Sequence, residues 1–444
     1  MWIAGYLLRL PAGLAGDGAA NAGWMVPSGV VFGVFAAILM AAGWIAGRSF
    51  YGCPHRVWKA GLVAGALNLL VLGSVVGRET SQDLMRVALL WVPASLLATV
   101  GVMELGARLG RLRAATAERA IEWQFALVCV VIAATLALLM VGGTVTGFQA
   151  GLAVVDWPNS FGYNMFLYPL SKMTGGIYFE HAHRLFGSLV GLCTLILAVH
   201  LQMRETRGWV RRLGWVAFVM VCVQGLMGGL RVTGKLTLSQ DPSETAPSIA
   251  LAVAHGAFAQ LFLSVLVVLA VVSTRRWREL PRASAGQTLS SDFVASALLV
   301  GAIFTQIVLG AIFRHYNHTT GLYLHLGFAV VVVLLGCVVA IRAWMLDDGV
   351  PVLPAAGDWL LKMVGLQTAM GFFALIAIQW TTSAGKPVAG EVLVTTGHQT
   401  MGAILLGSAV MLALWRGRVV VGAAAAAPEA VADSSRVEAA LGAN

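Results

Sequence analysis

Charge is what this sequence has least of. Asp, Glu, Lys and Arg together make up 11% of its 444 residues, where a soluble domain carries about 25%. That scarcity excludes an ordinary water-soluble globular domain. Cysteine is also sparse. Cys53, Cys129, Cys193, Cys222 and Cys337 are scattered, mostly inside apolar runs. No CxxC pair occurs, so no disulfide framework is indicated, and there is no haem-attaching CxxCH. The first 24 residues hold one arginine and only a weak apolar stretch, so no cleaved signal peptide is expected. Acidic residues number 20 against 29 basic ones. In a soluble protein that excess would suggest nucleic acid; here no nucleic-acid partner is expected, because loop placement accounts for it.

What the sequence does have is 59% hydrophobic residues, gathered in repeated runs of about 20, the length that spans a bilayer as a helix. Eleven such segments read near 27–46, 58–77, 85–106, 123–143, 181–201, 213–231, 249–272, 294–313, 322–342, 358–380 and 395–415. The first three form a group of their own, joined to the other eight by a basic linker. The division expected is 1–120 (extension and linker), 121–272, 273–418, and a polar, Ala-rich tail at 419–444, read as disordered. Loops 48–59, 107–120, 202–212, 273–293 and 342–362, with 416–418, hold 19 of the 29 Lys and Arg. If the spans alternate, all fall on one side, which the positive-inside rule makes cytoplasmic. The N-terminus is then outside and the C-terminus inside. The expected location is a bacterial-type plasma membrane.

Four of nine histidines sit a little way inside apolar runs: His183, His255, His325 and His398. His183 to His255 is 72 residues and His325 to His398 is 73; the cross-intervals are 142 and 143. Glutamine contexts repeat too, with "QGLMGGLR" from Gln224, "QIVLGAIFR" from Gln306 and "QTAMGFFA" from Gln367. Spans four to seven and eight to eleven therefore read as two copies of one unit. The fold class expected is an all-α polytopic membrane protein. It has two parallel-repeat four-helix bundles, eight transmembrane helices in all, preceded by about three more. Each bundle offers two histidines at one depth near the outer face. A lone intramembrane histidine reads as a helix–helix hydrogen bond. Four at repeated spacing read as ligands, and two facing imidazoles suit haem iron. A small metal would want three or four ligands.

"IYFEHAHRLFGSLVGL", residues 177–192, breaks the symmetry. Glu180 lies at i−3 from His183, on one helix face, and the matching positions before the other histidines are Ala252, Leu322 and Thr395. Glu180 is placed at the outer rim, one turn above His183. It reads either as an interfacial residue paired with Arg184 or as a carboxylate acting beside haem. Arg184, Arg231 and Arg314, at outer helix ends, could hold haem propionates or anchor the interface; Lys172 is a weaker candidate. Loop 144–180 is long and aromatic, and reads as a lid over the outer mouth or as an interfacial belt. Asp156 reads as a turn residue rather than a catalyst. His181 points elsewhere on the helix.

Over residues 122–415 the sequence resembles the heme A synthase family. The family's Glu-x-x-His-Arg stands as Glu180-His181-Ala182-His183-Arg184, its outer-loop pattern as "TGFQAGLAVVDWP" at 146–158, and its other histidines as His255, His325 and His398. The resemblance implies oxidation of a methyl group of haem O to a formyl group, through an alcohol, making haem A for cytochrome oxidase. It implies haem b as cofactor at His325 and His398, haem O as substrate at His183 and His255, and Glu180 in the chemistry. A heme O synthase and cytochrome oxidase assembly factors are the partners implied. Two departures stand out: loop 144–180 lacks the cysteine pair of many bacterial relatives, and three spans precede the eight-helix pattern. Apart from the resemblance, two readings remain. One is a bis-histidine cytochrome b-type electron carrier; the other is a haem-handling assembly protein without catalysis.

Overall fold

In a bilayer every main-chain N–H and C=O must be satisfied within the segment, and a helix does this with no partner strand. A computed structural model describes residues 28–49, 55–76, 81–112, 122–169, 172–235, 247–279, 291–345, 352–381 and 388–441, and these are helical apart from short connections. The helices are α1 (Ser28–Ser49), α2 (His55–Val76), α3 (Ser81–Leu112), α4 (Trp123–Gly147), α5 (Gly175–Arg204), α6 (Gly208–Thr233) and α7 (Ile249–Ser273). They continue with the short α8 (Arg275–Glu279), then α9 (Ser291–Tyr316), α10 (Thr319–Met345), α11 (Val352–Thr381) and α12 (Ala389–Leu441). One 3₁₀ turn, Met165–Leu167, lies between α4 and α5. Among the described residues nine helices are long and apolar enough to cross a membrane, and Gly33–Arg48 is a shorter apolar helix. The chain is an all-helical integral membrane protein.

Several boundaries differ from the sequence reading. Eleven spans were expected; among the described residues nine helices meet the length and hydropathy needed, and the expected spans 27–46 and 58–77 fall largely on α1 and α2. The expected loop 342–362 is helical from Val352 onward. The expected loop 273–293 contains α8. The tail expected to be disordered from 419 continues α12 to Leu441; its alanine run has the highest helix propensity of any residue type. α5 begins at Gly175, not near 181, because the apolar run marks where a helix turns greasy rather than where it starts.

The chain divides into two compact units: 1–121 with 141–189 and 232–247, and 122–140 with 190–231 and 248–444. In the first unit α1 and α3 pack in parallel. Without a hydrophobic force between helices in lipid, such pairs rely on close backbone approach at small residues. A methyl carbon added at Gly43 or Gly47 would collide with the carbonyl oxygens of Met103 and Ala107. Added at Gly106 or Gly110, it would collide with those of Met40 and Trp44. α2 packs antiparallel on α3, with Gly61 near Val100 and Gly65 near Leu96. The hydroxyl of Ser95, two residues after Pro93, donates to the Val92 carbonyl at 2.9 Å. α2 also lies against the 3₁₀ turn.

In the second unit α9 touches α10, α10 touches α11, α11 touches α12, and α12 returns to α9, closing a ring of four; α7 lies against α9 and α12. Leu299, Val339, Leu360, Leu406 and Leu412 fill its core. A second core joins Val128 and Val131 of α4, Leu197 and Leu201 of α5, Val210 and Ala217 of α6, and Leu266 and Leu269 of α7. Polar clamps tie one set of helix ends. Gln124 donates to Glu205 at 2.9 Å and contacts the Ser273 hydroxyl at 3.1 Å. Arg207 grips both Glu205 oxygens and the Val272 carbonyl. Asp292 binds Arg342 and Arg416 at 2.7 and 3.1 Å.

Candidate functional site

The loop between α4 and α5 is folded, not free. α4 closes on itself where Ala150 N–H donates to the Val145 carbonyl. Asp156 then accepts from the N–H groups of Phe161 and Gly162 at 2.7 and 2.8 Å. Both of those residues have positive φ, a conformation that the two carboxylate bonds hold in place. Ser160 and Tyr163 form a two-way bridge, and the Asn164 side chain caps the 3₁₀ turn through Phe166 N–H. Asp156 is thus the turn residue that its sequence context indicated. The aromatic residues divide: Tyr168 is buried against Phe161, Tyr163 and His181, while Leu152, Tyr163 and Leu167 are exposed. Burial pushes the Tyr168 phenol above its ordinary pKa. Phe148 stacks on Phe179 at 4.5 Å, fixing the start of the loop to α5.

The motif on α5 fastens this loop. Arg184 Nη1 donates to the carbonyls of Asp156 and Asn159 at 2.6 and 2.8 Å. Its Nη2 donates to the Val154 carbonyl at 2.8 Å and to Glu180 Oε1 at 2.7 Å. Glu180 Oε2 accepts from Val154 N–H at 3.0 Å. The guanidinium fork can serve several acceptors in one plane, and here it does so with side chains of Arg184 and Glu180 only 8% and 5% exposed. Glu180 is buried in the second turn of α5, which starts six residues before the apolar run. Arg184 bonds the loop carbonyls and Glu180, the pairing the sequence offered as one reading. His181 was given no role by its sequence context. It is fully buried, with Nδ1 3.0 Å from the Ser160 hydroxyl, and so belongs to the same fastening. The only sequence signal for it was its place beside Glu180.

Each of the four histidines packs beside a glycine. A methyl added at Gly142 would lie 2.9 Å from His183 Cε1, at Gly228 3.3 Å from His255, at Gly310 2.8 Å from His325, and at Gly371 3.1 Å from His398. These glycines were not singled out from sequence, although Gly228, Gly310 and Gly371 each stand four residues after a repeated glutamine. The structure brings His325 and His398 together, with ring centroids 6.2 Å apart and planes at 89°. Two metal–nitrogen bonds of about 2 Å plus two ring radii come to about 6.3 Å, so the pair fits one metal centre between two imidazoles. His325 Nδ1 lies 3.2 Å from the Gln306 carbonyl, which makes Nδ1 the protonated nitrogen and leaves the lone pair on Nε2. The Gln306 amide stands 3.5 Å from Nε2, too far to compete strongly. Among the described residues no group of three or more His, Cys, Asp or Glu is placed to hold a metal ion; two imidazoles are a donor set that haem iron can take. His183 belongs to the first unit and His255 to the second. Arg231 and Arg314 both lie close to His315, at the ends of α6 and α9, forming a cationic cluster.

The fold and the histidines define a class: a helical membrane protein with paired imidazoles and a loop bound over one helix. Residues 125–322 match the COX15-CtaA family model, described as Cytochrome oxidase assembly protein. Among curated proteins, "Heme A synthase" of Pelagibacter ubique (strain HTCC1062) is 37% identical over 79 residues, 17% of this chain and 23% of that protein. The chain thus aligns with under a quarter of that relative's length. The family match covers residues 125–322, less than half of the 444. That stretch holds Glu180, His183, Arg184 and His255.

Proposed function

We propose that this protein is a heme A synthase: a membrane oxidoreductase that converts one methyl group of haem O to a formyl group. The overall change is R–CH3 + H2O → R–CHO + 4 H⁺ + 4 e⁻, with the electrons passing to an external oxidant. His183 and His255 bind the substrate haem O, and His325 and His398 hold haem b. Haem b, held by His325 and His398, would supply one-electron redox chemistry. Glu180 carries the reading. It is a buried carboxylate on the face of α5 that carries His183, and the other three histidines have Ala252, Leu322 and Thr395 in its place. It presents an anionic acceptor that can take up a proton or stabilise positive charge as the methyl carbon is oxidised. Arg184 and Val154 N–H orient it. Arg231 and Arg314 are the candidates for propionate contacts.

In this reading residues 121–272 and 273–418 form two parallel-repeat bundles, with both haem sites toward the outer face, the N-terminus outside and the C-terminus in the cytoplasm. A heme O synthase supplies the substrate, and cytochrome oxidase assembly consumes the product. The test is the extracted haem profile of cells producing the protein together with a heme O synthase, in a host that makes no haem A. Haem A, or its hydroxylated precursor, is the expected outcome. Folded, haem-loaded protein with only haem b and haem O would overturn it in favour of an electron carrier or a haem-handling protein.

A further inference from the structure

The three repeated glutamines are left without work by the function above, and two of them share one geometry. Gln306 of α9 donates its side-chain amide to the main-chain carbonyl of His325 at 2.8 Å, while His325 Nδ1 reaches back to the main-chain carbonyl of Gln306 at 3.2 Å. Gln224 of α6 donates in the same way to the carbonyl of His255, at 2.7 Å. Ordinary polar glue between membrane helices joins whichever groups happen to meet. Here the acceptor is each time the histidine residue itself, and one turn after each glutamine stands the glycine that its imidazole packs on.

We propose that Gln306 and Gln224 are positioning residues, each holding one haem-ligating histidine by its main-chain carbonyl so that the rotation of its helix is set, with Gln306 also setting the orientation of the His325 ring. The inference rests on the haem reading of the four histidines. The physical basis is direct. A helical carbonyl has a second lone pair beyond its i+4 bond, and an amide bound there fixes where that histidine sits around its helix. The return bond from Nδ1 fixes the tautomer and turns Nε2 toward a ligand position. The glycine one turn on leaves the ring the room to take that orientation. Leu138 occupies the matching position four residues before Gly142, so the side-chain amide is a feature of three of the four repeats.

The test uses the full-length protein purified with its haem. Gln306→Met keeps the length of the side chain and removes the donor. The expected result is a changed low-spin electron paramagnetic resonance signature and a shifted reduction potential for haem b, with haem affinity lowered by about 10–100-fold. Gly310→Ala is the second variant. Its methyl would lie 2.8 Å from His325 Cε1, so the ring must move, although alanine in place of glycine favours a helix. It should alter the same signature in a protein whose helix content is unchanged. Loaded wild-type protein and a Gln306→Met variant with identical spectra, potential and affinity would overturn the clasp, whatever happens to thermal stability. If Gln306→Met does not fold, an unaltered signature in Gly310→Ala overturns it instead. Wild-type protein that binds no haem overturns the functional reading, and the ligand role of the clasp with it.

Discussion

Replacing Arg184 with leucine should free the loop between α4 and α5 while leaving the helices in place. The side chain serves three loop carbonyls and Glu180 at 2.6 to 2.8 Å. With Arg184 and Glu180 8% and 5% exposed, solvent screens the pair little. Removing one partner of such a pair costs about 3–5 kcal/mol, because the other charge stays buried. Most of that falls on loop closure rather than on the bundle cores, which share none of these bonds. The loop's opening equilibrium should therefore rise by about 10²- to 10⁴-fold. Hydrogen exchange at the Val154 amide, which donates to Glu180, reads this directly. Exchange there should accelerate by that factor in Arg184→Leu and by less in Arg184→Lys, which keeps the charge but not the fork. Haem content at His325 and His398 should not change. Unaltered exchange at Val154 in Arg184→Leu would show that the loop is held by something else, and the reasoning would fail.

Three further outcomes are expected. Arg207 and Gln124 draw the Glu205 carboxyl down from 4.5 to about 2. Its folded form therefore stays ionised after the unfolded form has begun to protonate. Its stabilisation is complete above 4.5 and is lost as pH falls from there toward 2. Thermal melts in detergent should show that loss in the wild type and a flatter profile in Glu205→Gln. Gly106→Leu places carbon against the Met40 carbonyl and should part α1 from α3, read as a drop in crosslinking between cysteines introduced on the two helices; undiminished crosslinking would contradict the packing. Asp156→Ala removes two bonds to main-chain N–H groups, those of half-buried Phe161 and exposed Gly162, and with them what holds the turn. It should speed proteolysis within 148–174, and an equally resistant loop would count against the turn's role.

The helices and the histidine repeat were legible because both are periodic. An apolar run of about 20 residues and an interval of 142 or 143 need no knowledge of what lies across space. The asymmetry at Glu180 was legible for the same reason, as a difference between aligned repeats. Its burial was not, because α5 gains its first turns from Gly175 to Phe179, and those follow a stretch that reads as loop. The fastening of Arg184 was beyond the sequence too. Its partners Val154, Asp156 and Asn159 are 25 to 30 residues away, and the turn at Phe161 and Gly162 brings them back to the helix. Gly310 and its counterparts read as ordinary helix glycines until the neighbouring ring is in place.

Arg184 reads the loop through its carbonyl oxygens alone, and a carbonyl oxygen is the same on every residue. Apart from Asp156, whose carboxylate holds the turn, and Ser160, whose hydroxyl meets His181, the side chains at 152–160 are therefore largely uncoupled from the fastening. Such a loop can exchange its outward-facing chemistry from one homologue to another, trading polar for apolar residues or gaining a thiol, with no penalty in attachment. The position that cannot drift is the guanidinium itself: lysine, with one ammonium for four acceptors, would leave the same loop partly adrift.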